Sequence, residues 1–254
     1  MKEVIRQYLE KHGFEAFAPK AVLFDMDGVL YDSMPNHVVA WKESMALFGI
    51  AMTTDDAYMT EGARGVDTIR KMVLQQQGRT IDEAEAQRMY EEKSRIFHEM
   101  AAPPVMPGIL ELMEQICRDG LTVNVVTGSG QRPLIQRLLR DFGDYLDEAH
   151  ITTAYDVRCG KPAPDPYLTG LRKAGALQPW EGIVVENAPL GVHAGVAAQV
   201  FTIAVNTGPL PDEILIREGA DILFPKMTDL TDRWRTLMAQ TVPPQAPCPS
   251  SCPD

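Results

Sequence analysis

Four short apolar runs recur along this chain: Lys20–Phe24, Leu121–Val126, Gly182–Val185 and Val200–Val205. Each is rich in Val or Ile and ends in Thr, Asp, Glu or Asn followed by Gly or Pro, the pattern of a strand buried on both faces. Between the runs lie stretches of helical period, Ile109–Arg118, Pro133–Phe142, Asp165–Ala174 and Val192–Ala198. Strand–helix alternation at this spacing predicts an α/β fold, a Rossmann-like doubly wound parallel sheet. Ligands of such sheets bind beyond the carboxyl ends of the strands, so the polar residues after each run are the candidates for function.

One region breaks the alternation. From about residue 36 to 104 the pattern is helical throughout, with His37–Phe48, Gly65–Gln77 and Ile81–Met100 stopped by Gly49 and Gly78. An all-helical block after the first strand reads as an inserted α-helical cap, residues 35–104, joined by Asp32–Pro35 and Ala101–Gly108. The core is then split into residues 1–34 and 105–240. Residues 241–254, a Pro- and Ser-rich tail holding Cys248 and Cys252, read as disordered. Trp41, Met45, Met72, Met89 and Met100 read as packing residues.

Charge excludes some partners. Lys and Arg number 24 against 35 Asp and Glu, a net charge of −11. Nucleic-acid binding relies on neutralising phosphates with Lys and Arg, so neither nucleic acid nor an anionic membrane is an expected partner. The start is charged and mixed, unlike a secretory signal, and no apolar stretch approaches the ~20 residues that span a bilayer. Cys117 and Cys159 are isolated without ligand-like neighbours, and Cys248 and Cys252 read as unstructured tail rather than as a weak metal clip; a reducing cytoplasm is the expected location. A monomer is compatible with the sequence, which leaves the oligomeric state open.

Asp25-Met26-Asp27-Gly28 follows the first run directly. Carboxylates at i and i+2 on a strand end can face one pocket, where they can bind a hard cation, attack phosphorus or carry protons. A bare D-x-D-G is also a common acidic turn; a calcium loop is excluded by Val29 and Leu30. Thr127-Gly128-Ser129 follows the second run and offers a hydroxyl and backbone N–H groups to a phosphate. Lys161, in Gly160-Lys161-Pro162, offers a cation. Glu186-Asn187 closes the third run and supplies metal-type oxygens or a helix cap.

Jointly these residues resemble the haloacid dehalogenase superfamily of aspartate-nucleophile phosphohydrolases. The matching motifs are F-D-M-D-G-V-L at 24–30, V-V-T-G-S at 125–129, G-K-P-x-P-x-P-Y at 160–167 and V-V-E-N-A-P-L-G-V-x-A-G at 184–195. The helical insert, with Asp32-Ser33, His37 and Trp41, is similar to the β-phosphoglucomutase-like branch. The resemblance implies Asp25 as nucleophile, Asp27 as general acid and base, and Thr127 and Lys161 on the phosphoryl group. It implies Mg²⁺ on Asp25, the Asp27 carbonyl, Glu186 and Asn187, with a small phosphorylated molecule as partner.

The last motif departs from the family by ending in Asn187 where Asp is usual, removing one negative charge from the metal site. The first cap connection, Tyr58 to Gly65, also departs: the sugar mutase's Arg position holds Gly65, with Arg64 one place early. Glu61, Lys93 and Asn187 together look most like family members that hydrolyse inorganic pyrophosphate. Glu61 alone reads equally as a solvated loop carboxylate. Helical spacing by itself leaves Lys93 on a solvated face and His37 as a capping or packing residue. With the resemblance, Glu61, Gly128, Ser129, His37 and Lys93 form the expected substrate-binding set. Inorganic pyrophosphate is the leading substrate. A small sugar phosphate, a β-phosphoglucomutase reaction and a non-catalytic binding module are the alternatives.

Overall fold

The computed structural model describes residues 1–244. Its core is a six-stranded sheet, wholly parallel, in the order β3-β2-β1-β4-β5-β6. These strands are β1 (Ala21–Phe24), β2 (Thr122–Val126), β3 (Ile151–Thr152), β4 (Gly182–Glu186), β5 (Phe201–Val205) and β6 (Ile222–Phe224). The two-residue period of a strand sends alternate β1 side chains to opposite faces. Val22 and Phe24 join the larger core, with α1 (Lys2–His12), α6 (Ile109–Arg118), α7 (Arg132–Phe142) and α11 (Met227–Met238). Ala21 and Leu23 join the smaller one, with α8 (Asp165–Lys173) and α9 (Pro189–Ala197). Both faces of β1 are therefore covered, which is why it reads as a continuous apolar run.

The two strands without a sequence signal are the shortest and lie at the sheet edges. β3 has two residues and β6 three, too few to show a period. Helices α1, α11 and α10 (Asp212–Arg217) lie outside the alternation that marks the others.

Between β1 and α6 lie α2 (Met34–Leu47), α3 (Thr54–Met59), α4 (Gly65–Gln77) and α5 (Glu83–Glu99). Helix α2 begins inside the segment read as a linker, because Pro35 suits the first helical turn, where no N–H partner is needed. Helix α3 is too short for its period to register in the sequence; its start is fixed by a capping box between Thr53 and Asp56. These helices carry their own apolar cluster, including Trp41, Met45, Met72 and Met89, while Met100 packs by Ala40, Ile96 and Phe97.

The tail assignment needs correction at its start. Val242 and Phe17 exchange backbone hydrogen bonds of 2.7 and 2.8 Å, tying the chain after α11 to the segment before β1. The remainder of the tail, with Cys248 and Cys252, lies outside the described residues. Cys117 and Cys159 are exposed free thiols. Among the described residues no helix is long and apolar enough to cross a membrane.

Candidate active site

Strand order reverses between β1 and β4, and the crevice at that switch point holds the charged residues. Phe24 pairs with Val125 of β2 and Val185 of β4, so the next residue on β1, Asp25, emerges level with Glu186. Lys161 arrives from the loop between β3 and α8. Its ammonium donates to Asp25 Oδ1 at 2.5 Å, Glu186 Oε1 at 2.6 Å and the Val126 carbonyl at 3.1 Å. Tyr167 of α8 donates its hydroxyl to the same Glu186 oxygen at 2.6 Å. The sequence motif contains Tyr167 without suggesting this role; only the turn of α8 toward β4 reveals it.

These groups are buried and set one another's charge. Burial, with Glu186 and Asp27 adding repulsion, pushes Asp25 up to about 7 against the pull of Lys161. Lys161 is held above its ordinary range because Asp25 and Glu186 overcome its burial. Asp27 is also buried, yet His37, the Ser33 hydroxyl and Lys93 hold it down at about 2. Ser33 Oγ donates to Asp27 Oδ1 at 2.6 Å, and His37 Nε2 lies 3.0 Å from the same oxygen without hydrogen-bond alignment. Asp27 also turns its backbone N–H onto Asp25 Oδ2 at 3.1 Å.

Gly28 makes the turn possible in two ways. Its φ is +80°, and a Cβ there would lie 2.0 Å from the Asn187 amide nitrogen. Asn187 thereby packs onto the Asp25–Gly28 turn, with its Oδ1 buried and lacking any hydrogen-bond partner. Glu186 is different. Its Oε2 accepts from the Asn187 and Ala188 N–H groups at 3.1 and 3.3 Å, so both oxygens are already engaged. Glu186, expected as a metal ligand, thus accepts from Lys161, Tyr167 and two backbone N–H groups, and so also orients Lys161.

Thr127 is buried just past the end of β2. The Ser129 N–H, expected to be free for a phosphate, is taken by Thr127 Oγ1 at 3.0 Å as the loop tightens. Gly128 and Ser129 nevertheless line the cavity.

That cavity is narrow, about 40 Å³, room for a few water molecules. Asp25, Asp27, Thr127, Gly128 and Ser129 form its floor; His37, Glu61 and Lys93 enter from the cap. The solvated reading of Lys93 is wrong. Lys93 is buried, donates to His37 Nδ1 at 2.7 Å and sits over the Trp41 ring at 5.0 Å. Helix α5 faces the cavity, not solvent, at this turn, which spacing alone could not show. Burial lowers Lys93 to about 8, with Glu61 and Asp27 opposing. Burial and Lys93 also lower His37, whose Nδ1 accepts from the Lys93 ammonium. Glu61 is half-buried, pushed up to about 8 by burial, Asp27 and Asp25. Arg64 is turned away, clamped to Asp67 at 2.7 and 3.1 Å.

Among the described residues, no three His, Cys, Asp or Glu side chains form a ready metal cage. The donor set nevertheless fits a cation that takes few protein ligands. Asp25 and Glu186 share one ammonium, Asp27 adjoins them, and the Asn187 amide oxygen is orphaned beside them.

Comparison with known proteins agrees with this geometry. A model of the haloacid dehalogenase-like hydrolases matches residues 19–199. Hexitol phosphatase A of Escherichia coli is 33% identical over 191 residues, 74% of this chain and 83% of that protein. The β-phosphoglucomutase of Bacillus subtilis is 25% identical over 223 residues, 85% of this chain and 97% of its own. A solved Bacteroides vulgatus protein, provisionally assigned as a β-phosphoglucomutase, superposes with a TM-score of 0.90 at 47% identity. That match covers 94% of this chain and 97% of the other.

Proposed function

Since this chain belongs to the haloacid dehalogenase-like hydrolase family, with a Rossmann-like core and helical cap, we propose that it is a Mg²⁺-dependent phosphohydrolase acting on inorganic pyrophosphate. The observation that carries the reaction class is Asp25 held beside Lys161 and Asp27 at the sheet's switch point. In this reading Asp25 attacks phosphorus and forms an aspartyl-phosphate. The negative charge of an incoming phosphate beside Asp27 favours its protonated form over the low resting value, so Asp27, positioned by Ser33 and His37, can pass that proton to the leaving group and then take one from the attacking water. Thr127 and Lys161 bind the phosphoryl oxygens, while Glu186 and Tyr167 hold Lys161 in place.

Magnesium would be held by Asp25, the Asp27 carbonyl, Glu186 and the orphaned Asn187 oxygen. Bound there, it supplies charge neutralisation for the phosphoryl group and favours the ionised form of Asp25.

Three features support pyrophosphate over an ester: the narrow cavity, the buried Lys93 without a carboxylate in hydrogen-bond contact, and Asn187. An amide at that position leaves the site less negative, easing entry of a highly charged anion. A second reading, a small sugar-phosphate phosphatase, is favoured by the hexitol phosphatase relative. A mutase would have to hold a sugar bisphosphate in the cap, where Arg64 is bound to Asp67 instead. A phosphate-release screen of pyrophosphate against a phosphate-ester panel separates these readings. Pyrophosphate should lead, Mg²⁺ should be required, EDTA should abolish turnover and Ca²⁺ should replace Mg²⁺ poorly. Preference for a hexose phosphate would overturn the pyrophosphate reading, and full activity in metal-free buffer the metal assignment.

A further inference from the structure

The cap rests on the core directly above the Thr127 loop, and the contact is close. A Cβ at Gly128 would lie 2.9 Å from the Gly62 carbonyl oxygen and 3.1 Å from that of Ala63. Only a glycine lets the backbone of the cap connection seat on the floor of the site this way. Beside that contact, Gln131, the residue preceding α7, reaches across to α5. Its Nε2 donates to Ser94 Oγ at 2.8 Å and to the Tyr90 hydroxyl at 3.3 Å. Either hydroxyl can accept or donate, so the bridge is compatible with both orientations of the amide. The Tyr90 ring in turn lies against Gly65 at the end of the cap connection. Gln131, Tyr90 and Ser94 all line the cavity wall.

We propose that Gln131, through Ser94 and Tyr90, is a latch that fixes how far the cap closes and thereby selects compact phosphate substrates over those with bulky organic groups. An organic group too large for the cavity must move the cap outward, and doing so breaks the bridge that Gln131 makes. A compact anion fits beneath the latch and leaves it intact. Gln131 is thus a positioning residue, acting through cap closure and not on the reacting atoms. The choice of pyrophosphate as the compact substrate rests on the function proposed above; the latch itself rests only on this geometry.

The test uses the Mg²⁺-loaded full chain. Gln131→Leu keeps side-chain bulk while removing the amide, and Ser94→Ala removes one partner. Each should lower kcat/KM for pyrophosphate about 3- to 30-fold, the size of one or two ordinary hydrogen bonds, chiefly through KM. Activity on hexose phosphates should hold or rise, so the ratio between substrates changes. The double variant should cost less than the product of the single effects, whereas Ser94→Thr, which retains the hydroxyl, should keep the wild-type ratio. Amide hydrogen exchange without substrate gives an independent reading: residues 60–65 should exchange faster in Gln131→Leu. Unchanged exchange overturns the latch, and faster exchange with an unchanged substrate ratio overturns its role in selection. Should the wild type prefer esters, the pyrophosphate reading fails alone. The latch is then judged on glycolate phosphate against hexose phosphates, and an identical ratio in wild type and Gln131→Leu overturns it.

Discussion

Lys161 and Lys93 are both buried ammonium groups facing one cavity, yet their surroundings are opposite. Lys161, on the core side, has Asp25 and Glu186 within 2.6 Å and is held firmly charged. Lys93, on the cap side, has an imidazole nitrogen at 2.7 Å and two aromatic rings at 5.0 and 5.1 Å. Burial therefore lowers it to about 8, close to losing its proton. The core wall is electrostatically complete within the protein, apart from the cation its carboxylates call for. No carboxylate among the described residues lies within hydrogen-bond distance of Lys93. Under the proposed function, the core wall carries the reaction and the cap wall chooses the substrate.

The most severe way to break the core wall is Asp25→Asn. Without the nucleophile, turnover should fall by about 10³-fold or more while the fold, read by circular dichroism, is retained. Near-normal activity in the purified variant would falsify the assignment of Asp25.

Removing each lysine in turn compares the walls directly. Lys161→Met leaves Asp25 and Glu186 buried without their cation and should cost about 3–5 kcal/mol in denaturant unfolding. Lys93→Met removes an ammonium that burial already disfavours, so stability should hold or rise while KM for pyrophosphate increases. Equal destabilisation by the two substitutions would remove the distinction between the walls.

Glu61 tests whether the cap wall selects. A carboxylate at the cavity mouth can bind the outer face of a metal–pyrophosphate complex through water and crowd an organic leaving group. Glu61→Ala should therefore reduce kcat/KM for pyrophosphate relative to small esters by about ten- to two-hundred-fold. Equal losses on both substrates would show that Glu61 serves only to support the cap.

The smallest expected effect is that of pH. Lys93, lowered to about 8, loses its positive charge as pH rises through that value. Its loss removes a cation from the cavity wall, so KM for pyrophosphate should rise, about tenfold between pH 7 and 9. Lys93→Met should flatten part of that rise. An identical profile in the variant would assign the change to the substrate's own ionisation.

The apolar runs, and the acid, hydroxyl and Asn residues that follow them, are legible in the amino-acid order itself. A strand buried on both faces must be apolar throughout, and its chemistry sits at its end. Those are local properties of the chain. The positions of β1, β2, β4 and β5 and the clustering of Asp25, Asp27 and Thr127 follow from them. What the cap contributes is different in kind. Whether Lys93 meets water or His37 depends on which face α5 turns toward α2, and the two residues stand 56 positions apart. The same holds for Tyr167 on Glu186 and Gln131 on Ser94, each a pairing of distant segments. β3 and β6 owe their places to a neighbouring strand, two or three residues being too few to specify one. Helical period gives a residue's angle about its own axis; only packing between elements decides what lies at that angle, and there the substrate-facing half of this site was determined.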